Sequence, residues 1–161
     1  MNTPIIKFSD SLKEKLPVAF NLLQKSNLAA HEFVEHIILS GSRGPRGGFR
    51  NDSDIDLTLI ADSGKLKESA NEEKTLNEIL NVTLENWKSE IELDSAVVFD
   101  ISGCGLKCLL TGEHSGTICN GSGRDCFGLY KIQKGFNGYV RNYGIEIKKI
   151  FPVMRIWSRD I

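Results

Sequence analysis

The feature that most constrains this chain is an apolar run that stops at Gly41-Ser42, followed by another that opens with Asp54-Ile55-Asp56. Residues 34 to 40, Val-Glu-His-Ile-Ile-Leu-Ser, read as a short apolar strand. Residues 54 to 60, Asp-Ile-Asp-Leu-Thr-Leu-Ile, alternate polar and apolar as a half-buried strand does. Side chains two apart on a strand share a face, so Asp54 and Asp56 should project together while Ile55 and Leu57 enter the core. Two carboxylates held side by side repel, and one is driven toward protonation unless a cation sits between them. A divalent ion that prefers oxygen, such as Mg2+, relieves that repulsion.

The run between the strands supplies the opposite charge. Gly41-Ser-Arg-Gly-Pro-Arg-Gly-Gly48 cannot sustain helix or strand. Glycine at 41 lets the backbone approach a phosphate, successive amides of such a turn can form an anion-binding nest, and Ser42 adds a hydroxyl donor. Arg43, Arg46 and Arg50 place guanidinium groups in the same loop, which closes at Ser53. A basic loop beside an acidic strand fits a triphosphate bridged to carboxylates by metal. Taken singly, Asp-x-Asp is more often a solvated edge and Gly-Ser an ordinary turn. Their succession in one order favours a site.

The remaining sequence sets the frame. The 161 residues suit a single domain spanning 1–161, with 40% apolar residues for a core. A net charge of -1 excludes bulk electrostatic binding of nucleic acid, so any polyanion must meet a local cluster. No apolar run is long enough to span a membrane, and the first residues lack the pattern of a secretory signal. The expected address is the cytosol. Cysteines stand at 104, 108, 119 and 126 without the tight pair that marks a structural zinc site. Thiols of a reducing compartment, partly buried as small hydrophobes, are the expectation.

Periodicity predicts an amphipathic helix over 9–26 and a long surface helix over 65–89. Strands are expected over 91–101 and 126–133, and loops with one short helix near 104–110 between them. An apolar tail, Ile145 to Trp157, should pack on the domain or dock on another chain. The expected fold class is α/β (α+β), a short mixed twisted sheet with helices on one face. The active site is expected at its open edge, where the Gly-Ser turn meets the Asp54 strand. No Gly-Lys-Ser or Gly-Lys-Thr occurs, which excludes a P-loop. His36 reads as a packed strand residue rather than a base.

The segment Ile37-Ile-Leu-Ser-Gly-Ser-Arg-Gly-Pro-Arg-Gly-Gly-Phe-Arg-Asn-Asp-Ser-Asp-Ile-Asp-Leu57 resembles the signature of the DNA polymerase beta-type nucleotidyltransferase superfamily, most of all its minimal members. Their pattern is Gly-Ser, about ten residues, then Asp-x-Asp; here 11 residues intervene. The resemblance covers roughly residues 33–101, and leaves 102–161 as a C-terminal extension. It implies a third acidic residue on a neighbouring strand, which falls on Asp94, with Glu92 of the same parity competing and Asp100 too far along. It implies metal ligation by Asp54, Asp56 and Asp94, two Mg2+ ions (or Mn2+), and nucleotide contacts from Gly41, Ser42, Arg43, Arg46, Arg50 and Ser53. The implied reaction is transfer of a nucleoside monophosphate, AMP from ATP, to an acceptor hydroxyl with release of pyrophosphate. The acceptor is open among small molecules, protein hydroxyls and RNA ends. Minimal members often pair with a helical toxin partner, so a non-catalytic nucleotide-binding or antitoxin-like module is the alternative.

Overall fold

In the computed structural model, which describes residues 2–119, 123–140 and 146–160, a strand pair opens the chain. It joins β1 (Thr3–Pro4) to β2 (Ala29–Ala30). Between them lie α1 (Asp10–Lys15) and α2 (Pro17–Lys25). The helix expected over 9–26 is thus two. Pro17 has no N–H to continue α1 and disfavours helical geometry at Leu16, which takes φ -133° and ψ 64°.

The main sheet follows: β3 (Val34–Ser40), β4 (Ile55–Ala61), β5 (Leu93–Asp100), β6 (Phe127–Lys131), β7 (Gly138–Val140) and β8 (Met154–Ser158). Its order is β7-β6-β5-β4-β3-β8, with β4 and β5 parallel and the other pairs antiparallel. The parallel pair needs a crossover. That crossover carries α3 (Ser63–Glu68) and α4 (Glu72–Asn86). Two caps divide the single helix expected over 65–89. Asp62 accepts from the N–H of Gly64 and Lys65, and Asn71 accepts from Lys74.

Both faces of the sheet are covered, so helices on one face alone is corrected. Leu12 of α1, Leu23 of α2 and Leu76, Ile79 and Leu80 of α4 pack on Ile37, Leu39, Leu57, Leu59 and Val97. Burying each such side chain stabilises by about 1.5–3 kcal/mol. The other face, with Ile38, Ile60, Ala96, Val98 and Leu129, receives α5 (Lys107–Thr111), Ile147 of a 3-10 turn (Ile147–Ile150) and Val153. The tail packs on the domain as expected, but its last part is strand β8, paired to the outer side of β3. Ile145, its expected start, lies outside the described residues. No helix among the described residues is long and apolar enough to cross a membrane.

Candidate functional site

The strand register builds the site. Asp56 is paired on one side with Ser40 of β3 and on the other with Asp94 of β5. All three sit on the second face, at the end of the sheet where the apolar cover from α5 and the tail runs out. The expected place, the open edge, is therefore corrected: β4 lies inside the sheet, and the site forms at the strand ends. A cleft of about 370 Å3 opens there, walled by Asp56, Asp94, Arg46, Lys131 and Lys149 on its polar side. Val98, Leu109, Phe127, Phe136 and Ile150 form its apolar side.

Gly41 ends β3 directly against Asp56. Its φ is 72°, and a Cβ at this position would overlap Oδ2 of Asp56. Only glycine combines that backbone with that approach. The following turn is closed by Gly44 N–H to the Gly41 carbonyl at 3.1 Å and Gly47 N–H to the Gly44 carbonyl at 3.1 Å.

Burial raises the Asp56 pKa, and the charge and hydrogen bond of Asp94 raise it further, against the pull of Lys131; together they bring it to about 6. Asp94 lies 2.6 Å from Lys131 Nζ through Oδ1, an ion pair, and that buried oxygen receives no hydrogen bond. Asp54 precedes β4 and does not line the cleft; its carboxylate pairs with Lys134 Nζ at 2.8 Å. The hydrogen bond and charge of Asp54 raise the Lys134 pKa in return. Glu92, the rival of Asp94, is exposed and outside the cleft. Asp100 stands at the far end of β5. Burial would raise its pKa, but the amides of Gly105, Gly103 and Ser102 outweigh it and hold the carboxyl low.

The loop arginines divide by task. Arg43 is 5% exposed, and its guanidinium donates to the carbonyls of Ser53 at 2.7 Å, Arg50 at 3.1 Å and Asn51 at 3.3 Å. It is spent on holding the loop, as is the Ser53 hydroxyl, which accepts from Arg50 N–H at 2.8 Å. Arg50 is exposed, 3.7 Å from Asp52. Arg46 alone of the three reaches the cleft, where it remains open to a ligand. Ser42 is half-buried in the turn. His36 is a packed residue, its Nδ1 2.8 Å from Ser158 Oγ.

Sequence reasoning did not find Lys131, Lys134 and Lys149. The run Lys131-Ile-Gln-Lys-Gly135 carries the charge, but only the β5–β6 pairing brings it over the acids.

The donor set suits a hard divalent cation at Asp56 and Asp94: neighbouring carboxylates, one with its pKa raised and one with a buried oxygen that receives no hydrogen bond. Among the described residues no group of three or more His, Cys, Asp or Glu is gathered closely enough to hold an ion, and Asp54 is paired with Lys134. Compared with known protein families, curated protein sequences and solved structures, the chain matches none of them.

Proposed function

We propose that this chain is a metal-dependent nucleotidyltransferase that moves a nucleoside monophosphate, AMP from ATP, onto an acceptor hydroxyl and releases pyrophosphate. The observation that carries the reading is the Asp56–Asp94 pair pressed against the Gly41 turn at the mouth of a half-cationic, half-apolar cleft. The apolar half suits a base and sugar, and Arg46, Lys131 and Lys149 suit phosphates.

Asp56 and Asp94 would hold Mg2+ or Mn2+, and Asp54 would join them when Lys134 releases it. A bound divalent ion would neutralise phosphate charge and lower the pKa of the attacking hydroxyl. The carboxylate nearest the acceptor takes its proton. Lys131 and Lys134 serve as internal counter-ions and can turn to phosphate oxygens. Most of the rate enhancement then comes from position and charge.

The test is Mg2+-dependent pyrophosphate release by the full chain with a panel of nucleoside triphosphates, each offered small-molecule, protein and RNA acceptors. Release that disappears in Asp56→Asn is the expected result. The same lysine pairs favour a second reading, a nucleotide-binding or antitoxin-like module that keeps the acids neutralised. Nucleotide binding that needs no divalent ion, with no pyrophosphate under any condition, would support the module and end the enzyme reading.

A further inference from the structure

Strand β8 ends the main sheet, with β3 on its inner side and, among the described residues, no strand on its outer side. The segment before α1 runs along that outer side, held by the Ser9 N–H donating to the Ile156 carbonyl at 2.9 Å. Between this segment, β8 and the end of α5 lies a space of about 540 Å3. Pro45 and Leu110 line it, while their chain neighbours Arg46 and Leu109 line the carboxylate cleft. The two spaces adjoin, yet they have no lining residue in common.

The charge of the second space is one-sided. Lys7, Lys15 and Arg155 line it, and no Asp or Glu does. None of the three has an ion pair or a side-chain hydrogen bond among the described residues. Elsewhere the cations are matched: Lys131 and Lys134 pair with Asp94 and Asp54, and Arg43 and Arg159 donate to backbone carbonyls. Arg155 is half-buried, and its charge reaches His36, whose pKa is lowered by burial and then by Arg155, against the pull of Asp160. Three like charges around one space repel, and an anion among them removes that cost.

Two aromatic rings complete the wall. Phe8 is buried edge-on to Phe20, with ring centres 6.1 Å apart. Trp157 is half-buried under the Arg159 guanidinium, 5.2 Å from its ring centre. Ser9 adds a buried hydroxyl that has no hydrogen-bond partner among the described residues, where such an atom ordinarily has one.

We propose that this space binds a phosphate monoester carried on a flat ring, the chemistry of a nucleoside monophosphate. The phosphate, with close to two negative charges at neutral pH, sits among Lys7, Lys15 and Arg155. The ring lies against Phe8 and Trp157. A single carboxylate would leave two of the three cations unmatched. The volume is that of a pocket for one small molecule rather than a track for a polymer. With no carboxylate in the wall, binding here asks for no divalent ion.

This inference is independent of the proposed activity, and its test reads binding rather than turnover. The full chain, titrated calorimetrically in chelator with the four nucleoside 5′-monophosphates, should bind at least one of them at a single site. The Kd should lie below about 1 mM and weaken as salt is raised. The matching nucleoside and inorganic phosphate should each bind at least about tenfold more weakly. Lys15→Glu and Arg155→Gln should weaken binding about tenfold or more, whereas Arg46→Ala should leave it within about twofold. If Arg155→Gln does not fold, Lys15→Glu decides, since Lys15 is exposed. Absence of binding by all four nucleotides below about 1 mM overturns the proposal. So does a nucleoside or inorganic phosphate that binds as tightly as the nucleotide. Binding lost in Arg46→Ala and kept in Lys15→Glu overturns it too, by placing the nucleotide in the carboxylate cleft.

Discussion

Asp56 and Asp94 stand at paired positions on parallel neighbouring strands, where burial and then the charge of Asp94 raise the Asp56 pKa to about 6. Above that pH Asp56 ionises beside the Asp94 carboxylate, and the two acids repel. The site is therefore strained electrostatically in a way that a cation can relieve.

The first prediction follows from the sign of that strain. The Asp56 pKa rises from 3.8 to about 6 on folding, chiefly through burial and then through Asp94. Between those values the folded chain binds a proton that the unfolded chain has lost, so this group's contribution to stability falls as pH rises through about 6. Asp56→Asn removes the repulsion and should stabilise the chain at pH 7.5. With allowance for partial exposure the gain is about 1 kcal/mol, about 3 °C in Tm. The advantage should vanish near pH 4. Mg2+ should raise the wild-type Tm at pH 7.5 and have less effect on the variant. Thermal melts of both chains with and without Mg2+ measure all of this, and a variant less stable than wild type at pH 7.5 contradicts it.

The second prediction separates two glycines with nearly the same backbone. Gly41 and Gly47 have φ of 72° and 74°, but only at Gly41 would a Cβ strike the Asp56 carboxyl; around Gly47 there is open space. Gly47→Ala should cost about 1 kcal/mol of strain and leave Mg2+-dependent pyrophosphate release within about twofold. Gly41→Ala bears the same strain and also displaces Asp56, so activity should fall at least 100-fold. Melting curves beside initial rates distinguish lost fold from lost site. Equal activity of the two variants would remove Gly41 from the site.

The two halves of the site were unequally legible in the sequence. Residues 34–40 and 54–60 were readable because each strand is bounded by polar or glycine residues and patterned by burial, and the structure places β3 and β4 within a residue of them. Asp94 was placed by the resemblance alone, which asks for a third acidic residue on a neighbouring strand, and the register sets it beside Asp56. Arg43 carries no sign in sequence that it turns inward onto carbonyls, since a buried and a solvated arginine look alike in a loop. Lys131 and Lys134 depend on which strand lies beside β5, a long-range pairing that local pattern does not encode. Strand β8 was missed for a related reason: Met-Arg-Ile-Trp-Ser alternates weakly, and its pairing with β3 joins opposite ends of the chain.

The third prediction concerns the lysines over the acids. Lys131 is largely shielded and holds Asp94, whereas Lys134 is half-exposed and holds Asp54. Lys131→Met removes the charge that lowers the Asp56 pKa, so the acid limb of the pH–rate profile should move to higher pH. It should also raise the KM for triphosphate by about tenfold through the lost phosphate contact. Lys134→Met should leave the limb nearly in place and raise the Mg2+ affinity of the nucleotide-free chain, because Asp54 is then released. A pH–rate profile and a Mg2+ titration test both variants. Weaker Mg2+ binding by Lys134→Met would show that Lys134 is no competitor of the ion.

The fourth prediction sets the loop's arginines against each other. Arg43 gives its guanidinium to three backbone carbonyls and stacks over Phe49 at 4.7 Å. Arg43→Lys keeps the charge but loses the planar fork that reaches all three acceptors. Leaving buried carbonyls without donors should cost about 2 kcal/mol, with a fall of roughly 4–8 °C in Tm. Arg46 is exposed at the mouth of the cleft, so Arg46→Ala should leave the Tm within about 1 °C. Its effect should appear in nucleotide affinity, a loss of roughly tenfold that diminishes at high salt, since an exposed guanidinium meets phosphate through a screened charge. Differential scanning of both variants, with nucleotide titrations at low and high ionic strength, separates holding the loop from holding the ligand. An Arg46→Ala chain with unchanged affinity at low salt would take the last arginine of this loop out of the binding site.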